Sequence, residues 1–285
     1  VGIFARPGLR EARGPLRELV EWLGRHGATP LLEQSTAGLL DGPTESGASA
    51  APGADVAQRS DVVVVLGGDG TLLHTSRLIE RPVPVLGVNF GSLGFLTEIT
   101  LPELHPTLAA VLSGDYRFEE RRMLRATLRR AGIPDVDGDV LNDVVVTKAA
   151  LARIIELDVA VDGLFVTRFR ADGLIVSTTT GSTAYNLAAG GPILHPALEA
   201  LVLTPICPHM LTNRPLVVSD RSRVEVRLTS AQGEVRVVLD GQQGLPVGPS
   251  DLVSVSRSPR SIRLVKAAAR DYYSVLRSKL KWGER

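Results

Sequence analysis

The stretch Asp61 to His74 reads DVVVVLGGDGTLLH: an apolar run, a glycine-rich turn with an aspartate at its tip, then the start of a helix. Val62 to Leu66 are continuously apolar and mostly β-branched, the pattern of a parallel strand buried on both faces. Gly67, Gly68 and Gly70 free the backbone for conformations that a Cβ forbids. Thr71 has the chemistry of an N-cap for a helix carrying Leu72, Leu73 and Ile79. A strand, a glycine turn and a helix start together make an anion site, because open amides and the helix dipole face the ligand. A plain phosphate cradle avoids negative charge or adds a lysine, and no GxxxxGK[ST] occurs in the chain. Asp69 therefore stands where it repels phosphate. Such a carboxylate has a chemical task, either taking a proton from an attacking hydroxyl or holding a metal ion beside the phosphates. The simpler alternative is a tight βα turn in which Asp69 only caps the helix.

A chain of 285 residues fits one large domain or two modest ones, and its 44% hydrophobic content is that of an ordinary globular protein. Its apolar runs are too short to cross a bilayer, and no secretory signal pattern opens it, so a cytoplasmic protein is expected. The single cysteine, Cys207, allows no internal disulfide, and the five histidines show no HExxH spacing. A net charge of +1 gives no general attraction to nucleic acid or to a membrane surface. These features point to a small-molecule task.

The first part alternates strand and helix: a strand over Val1 to Phe4, a helix opened by Pro15 with Leu16, Leu19, Val20 and Leu23 on one face, and a strand over Thr29 to Leu32. From Glu33 to Ala54 the composition turns to Gly, Ala, Ser and Pro, which reads as a mobile loop near the site or a disordered insertion. A strand over Val83 to Val88, a second glycine turn (GVNFGSLGF) and a helix over Pro102 to Leu112 follow. This order implies a parallel sheet with helices on its faces. Beyond Tyr116 short strand-like pieces recur, with Asp162-Gly163 as a hairpin signal, and they suggest an antiparallel sandwich. Asp271 to Trp282 is helical again, and a return to the first domain is favoured over a membrane-surface helix.

A second constellation, DGLIVSTTTGSTAYNLAAGGPI, spans Asp172 to Ile193. A strand runs into hydroxyl residues around Gly181, then a short helical piece that stops at Gly190, Gly191 and Pro192. Small hydroxyls and open amides suit a ribose or a phosphate, and Tyr185 offers a flat face for a base. The alternative is a connection whose hydroxyls satisfy their own backbone.

GGDGT at Gly67 to Thr71, Asn142-Asp143 after a strand, and GSTAYNLAAGGP at Gly181 to Pro192 stand in the order and spacing of the NAD kinase family, which the chain resembles over nearly its whole length. GGDGT alone is shared with diacylglycerol-type lipid kinases and, more loosely, phosphofructokinases. The GSTAY segment with Asn142-Asp143 narrows the resemblance. Thr179 stands where the family usually has proline, and Asn186 and Ala188 where it often has serines.

The resemblance implies a Rossmann-like α/β domain with the GGDG loop over residues 1–115, completed by 265–285, and a β-sandwich-like NAD-binding domain over 116–264. It implies transfer of a γ-phosphoryl group from ATP, or from polyphosphate, to the 2′-hydroxyl of the adenosine ribose of NAD, with Mg²⁺ accompanying the donor. Carried over by position, Asp69 is the general base and Gly70 lines the phosphate path. His74 approaches the donor phosphates or is a solvated helix residue. Asn142 and Asp143 hold ribose hydroxyls and the adenine side of NAD. Arg153 and Arg170 face the ligand or lie on a solvated strand face. Asp172 meets the nicotinamide end or sits in an ordinary turn. Thr180, Thr183, Ala184, Tyr185, Asn186, Leu187 and Ala188 form the dinucleotide wall, with Gln242 added to the same set. Family members are homodimers or homotetramers. The rival functions are a lipid kinase of the same superfamily, which needs an apolar entrance, and a non-catalytic nucleotide sensor, which gains nothing by keeping Asp69.

Overall fold

A computed structural model describes residues 1–40, 48–91, 93–149, 153–210, 212–249, 251–267 and 270–283. The chain divides into two compact units, Val1–Glu120 with Ile262–Arg285, and Arg121–Ser261.

The first unit is a parallel α/β layer. In chain order it holds β1 (Gly2–Ala5), α1 (Arg13–Arg25), β2 (Leu31–Glu33), α2 (Gln34–Ala37), β3 (Ser49–Ala51), α3 (Gly53–Arg59), β4 (Val63–Gly67), α4 (Asp69–Ser76), β5 (Pro84–Asn89), β6 (Ile99–Thr100) and α5 (Leu101–Ser113). The sheet order is β3-β2-β1-β4-β5, with every pairing parallel. Every residue of β4 is buried, as a strand covered on both faces requires. Leu16, Leu19, Val20 and Leu23 turn one stripe of α1 into the core, which also takes Val64, Leu66, Leu86, Val88, Leu104 and Leu108. Thr100 and Glu103 form a capping box on α5, whose other end closes on Gly114 in the left-handed region.

Two expectations need correction here. The helix after the glycine turn begins at Asp69, not after a Thr71 cap, because the Gly68 carbonyl already accepts from Thr71 and Leu72 at 3.0 and 3.2 Å and closes the first turn there. The Glu33–Ala54 segment is also more structured than its composition suggests. Glu33 caps α2 by accepting from the Ser35 and Thr36 amides, and Ser49–Ala51 pairs with Leu31–Glu33 as a third parallel strand. Residues 41–47 of that segment lie outside the described residues.

The second unit contains β8 (Ile133–Val140), β9 (Asp143–Lys148), β10 (Ile155–Val161), β11 (Leu164–Ala171), β12 (Gly173–Thr178), α6 (Tyr185–Ala188), β13 (Ala200–Ile206), β14 (Leu216–Ser219), β15 (Val224–Ser230), β16 (Val235–Leu239) and β17 (Gln243–Val247), together with most of β7 (Phe118–Arg130) and β18 (Leu252–Val265). Antiparallel pairing gives a six-stranded sheet in the order β14-β13-β12-β9-β16-β17. Strands β11, β10, β15 and β18 run in that order, and β7 pairs with β18 and β8. One apolar core gathers alternate residues of both sets, among them Val144, Val146, Leu174 and Val176 against Leu157, Val159, Val226 and Val253. Asp162 and Gly163 both lie at positive φ between β10 and β11, the turn that an Asp-Gly pair favours. The two segments that lead out of the first unit and back are β7 and β18, and after β18 the chain closes with α7 (Tyr272–Leu280), which belongs to the first unit and buries Val275 and Leu276.

Because β3 is part of the sheet, deleting Gly42–Ala51 should cost on the order of 1–2 kcal/mol, visible as a thermal midpoint lowered by roughly 2–4 °C per kcal/mol. Deleting only Gly42–Gly47 should leave the midpoint within about 1 °C, since the sequence GPTESG offers almost no apolar side chain to lose. Equal midpoints for the two deletions in a calorimetric scan would contradict this role for β3.

Candidate active site

In the first unit the chain runs outward from β1 to β2 and β3, then returns to place β4 on the other side of β1. Strand order reverses between β1 and β4, and ligands of open α/β sheets bind beyond the strand ends at such a point. The ends that meet there are Ala5-Arg6 and Gly67-Gly68; the Arg6 amide donates to the Leu66 carbonyl at 2.9 Å. A cavity of about 480 Å³ opens beside them, lined by Phe4, Arg6, Pro7, Glu33, Ser35, Gly68, Gly70, Thr71 and His74 among others. Gly70 and His74 are thus brought to one cavity at the start of α4, together with Arg6, a cation the sequence reading did not single out.

Asp69 does not cap its own helix. Its carboxylate reaches the second glycine turn, where the Phe95 amide donates to Oδ2 at 2.9 Å. Oδ1 accepts from the Leu96 and Thr97 amides at 3.1 and 3.0 Å and from the Thr97 hydroxyl at 2.9 Å. The approach is possible because residue 94 is glycine: a Cβ there would overlap both the Asp69 carboxylate and the Thr97 hydroxyl. Sequence reading registered GVNFGSLGF as a glycine turn without this role. Gly94→Ala should therefore leave the fold intact, by circular dichroism, while displacing Asp69 and lowering turnover by ten-fold or more, on the order of 1.4 kcal/mol per decade. Normal turnover in that variant would mean that the placement of Asp69 is not critical.

The second unit builds its own cluster around Asn142-Asp143. The Asn142 carbonyl accepts from the Thr178 amide at 2.9 Å and the Ser177 hydroxyl at 3.2 Å, and Gly181 passes so close that a Cβ would overlap it. Thr178, Ser182 and Thr183 each donate their hydroxyls to backbone carbonyls, of Leu141, Thr179 and Thr180 respectively. For these side chains the self-satisfying alternative describes the structure. Asn186 is 0% exposed and holds the turn together: its amide donates to the Ser182 and Pro192 carbonyls and it accepts from Thr204. Tyr185 is 45% exposed, Leu187 is half-buried and Ala188 is exposed. Burial, and then the neighbouring acidic groups Asp143 and Asp172 among others, hold the Tyr185 phenol above its usual range, so it stays protonated. Thr180 is buried, with Arg121 3.5 Å from its hydroxyl. Ala184 is half-buried at the entry to α6. Gln242 is exposed in the β16–β17 turn.

Arg153 and Arg170 share a pocket of about 490 Å³ with Lys148, Glu156, Ser230 and Gln232. Arg170 pairs with Glu156 at 3.3 Å, and Lys148 lies 3.5 Å from Asp172. Lys148 was not foreseen. Asp172 occupies a bend between β11 and β12, at ordinary negative φ, and not a hairpin turn. Among the described residues no group of three or more His, Cys, Asp or Glu side chains is placed to hold a metal ion.

Asp143 is only 4% exposed, and burial, reinforced by the charge of Asp240, pushes its carboxyl up to about 7. The folded chain therefore holds this proton more tightly than an unfolded chain does. Its contribution to stability is fully present below the ordinary value of 3.8 and is lost as pH rises through about 7. Urea unfolding between pH 5 and pH 8 should show stability falling with pH, and Asp143→Asn should flatten that slope. An unchanged slope in the variant would remove Asp143 as its source.

An acid held at a helix start, beside a cavity that also takes Gly70, His74 and Arg6, is the arrangement of a phosphotransferase site. Residues 1–116 match the family model of the ATP-NAD kinase N-terminal domain, and residues 141–267 that of the C-terminal domain. The chain is 51% identical to an NAD kinase of Geotalea daltonii and 49% identical to one of Geobacter sulfurreducens, each match covering 100% of this chain and 99% of the relative. It superposes on yeast NADH kinase, solved with NADH, with a TM-score of 0.89 at 27% identity, covering 100% of this chain and 88% of that one. An Archaeoglobus fulgidus NAD kinase solved with ATP gives a TM-score of 0.76 at 27% identity, covering 97% of this chain and 98% of that one. The chain belongs to the NAD kinase family and is an enzyme that phosphorylates NAD.

Proposed function

We propose that the enzyme transfers the γ-phosphoryl group of ATP, or the terminal group of polyphosphate, to the 2′-hydroxyl of the adenosine ribose of NAD, with Asp69 as general base. The observation that carries this reading is the way Asp69 is held. Oδ1 takes three donors and Oδ2 one, so Oδ2 keeps a lone pair for an incoming hydroxyl while the group as a whole cannot swing away. A ribose hydroxyl is a poor nucleophile until its proton has an acceptor, and the rest of phosphoryl transfer is positioning and charge neutralisation. Gly70, His74 and Arg6 on the cavity beside α4 then meet donor phosphates, aided by the helix start. Asn142 and Asp143 hold the ribose hydroxyls and adenine side of NAD, Tyr185 supplies a flat face, and Arg153, Arg170 and Asp172 meet the remaining dinucleotide. Asn186 and the hydroxyls bound to backbone support that wall from behind.

The divalent ion we assign to the donor is Mg²⁺. Magnesium commonly enters on phosphate oxygens and keeps its waters, so it needs no three-residue cage, and the described residues provide none. When bound it neutralises charge on the transferring group. We further propose a cytoplasmic homodimer or homotetramer, supported by the apolar edge hairpin where Leu164 and Phe165 are 74% and 66% exposed. A lipid substrate has less support: among the described residues no helix is long and apolar enough to cross a membrane, and both family matches are to NAD kinase.

Asp69→Asn tests the assignment. It keeps the size of the side chain but removes the charge and the proton acceptor, and kcat with ATP, Mg²⁺ and NAD should fall by ~10²–10⁴. NAD affinity should change little. A variant that binds NAD, folds normally and stays inactive at high Mg²⁺ supports the base; recovery of rate with added metal would instead make Asp69 a metal holder.

A further inference from the structure

We propose that Asp240 is a positioning residue for NAD: its carboxylate fixes the backbone of the Asn142-Asp143 turn. This rests on the reading that Asn142 and Asp143 contact NAD. Asp240 follows β16 directly and sits at positive φ ahead of Gly241, a conformation that aspartate tolerates better than most residues. From there its carboxylate accepts three consecutive amides, Leu141 at 2.8 Å, Asn142 at 2.7 Å and Asp143 at 3.1 Å. Its own amide donates to the Asp143 carbonyl at 3.0 Å. A buried carboxylate with three charge-assisted bonds to one turn leaves that turn a single conformation, and the side chains of Asn142 and Asp143 are aimed by it.

The same placement sets two carboxyl groups close together. The Asp240 carboxylate accepts from the three amides, while burial, and after it the charge of Asp240, raises the Asp143 carboxyl to about 7. Tyr185 on α6 is the group that feels Asp143, along with Cys207 beyond β13 and Asp172, whose charge Lys148 on β9 offsets. A ribose hydroxyl donating to Asp143 prefers the ionised acid. NAD affinity should therefore rise as pH rises through about 7, and removing the charge of Asp240 should move that rise to lower pH.

The experiment is calorimetric titration of NAD into the whole enzyme between pH 5.5 and pH 8.5, approximate limits chosen to bracket the expected midpoint, with KM and kcat measured alongside. Four proteins are compared: the parent, Asp240→Asn, Asp240→Glu and Asp143→Asn. Asp240→Asn should weaken NAD binding by roughly ten- to hundred-fold, the scale seen when support behind a ligand-holding group is removed, and shift the pH midpoint down. Asp240→Glu keeps the charge but misplaces it, so it should weaken NAD while leaving the midpoint where it was. KM for the donor should stay near the parental value in both. Asp143→Asn should abolish the pH dependence. Parental affinity and midpoint in Asp240→Asn, with Asp143→Asn impaired, overturns the role of Asp240 alone. Parental affinity in Asp143→Asn overturns the underlying reading of the turn. Loss of a cooperative unfolding transition in both Asp240 variants would assign the residue to folding and also overturn the proposal.

Discussion

The contact that joins the two glycine turns of the first unit is the grip of the 94–97 turn on Asp69. A carboxylate placed at the start of a helix that attracts anions would ordinarily rotate toward its own helix amides or toward solvent. Four donors from one turn hold it instead, and they come from the connection between β5 and β6. Two sequence-distant glycine turns are thereby joined: Gly67 leaves room for the Thr71 side chain where β4 enters α4, and Gly94 lets the second turn close over the acid. The parallel pairing of β4 with β5, which sets Gly67 opposite Asn89, brings the two turns to the same end of the sheet. The sheet is thus the ruler, and the acid's position follows from strand register.

Much of this was legible in the sequence. The apolar run before Gly67 could only be a buried strand, and the periodicity of Leu16, Leu19, Val20 and Leu23 could only suit a half-buried helix. The Asp162-Gly163 turn announced its hairpin. Two of the strands that escaped hide the period: Ile133–Val140 carries three aspartates and is exposed over most of its length, and Gln243–Val247 contains both Gly244 and Pro246; the buried run Ala200–Ile206 and the short Leu216–Ser219 were passed over as well. Residues 49–51 escaped because Ser-Ala-Ala has no strand propensity of its own and pairs only where β2 provides a template.

Within the site, local motifs named Asp69, Gly70 and Tyr185, but long-range partners were invisible. Nothing in GSLGF says that its amides face an acid 26 to 28 residues earlier. Lys148, Arg6 and Asp240 were missed for the same reason, since each acquires its meaning from a neighbour on another strand. Asn186 shows the converse. It lies inside the motif that named the dinucleotide wall, yet its side chain is spent on Ser182, Pro192 and Thr204 and rigidifies the turn.

The two units solve one problem by one device used in opposite senses. Each sets a carboxylate against three consecutive backbone amides, Asp69 against residues 95 to 97 and Asp240 against residues 141 to 143. In the proposed reaction the held acid of the first unit carries the chemistry and the turn is its mount. In the second unit the acid is the mount, and the turn carries the side chains proposed to meet NAD. Three amides satisfy most of what an ionised carboxylate requires, so each acid is held in place by backbone donors. Among the described residues no lysine or arginine is paired with Asp69, and that matters for a phosphotransferase. A lysine or arginine paired with Asp69 would neutralise the acid and compete for the phosphates that its helix attracts, whereas backbone amides orient it and carry no net charge to the donor.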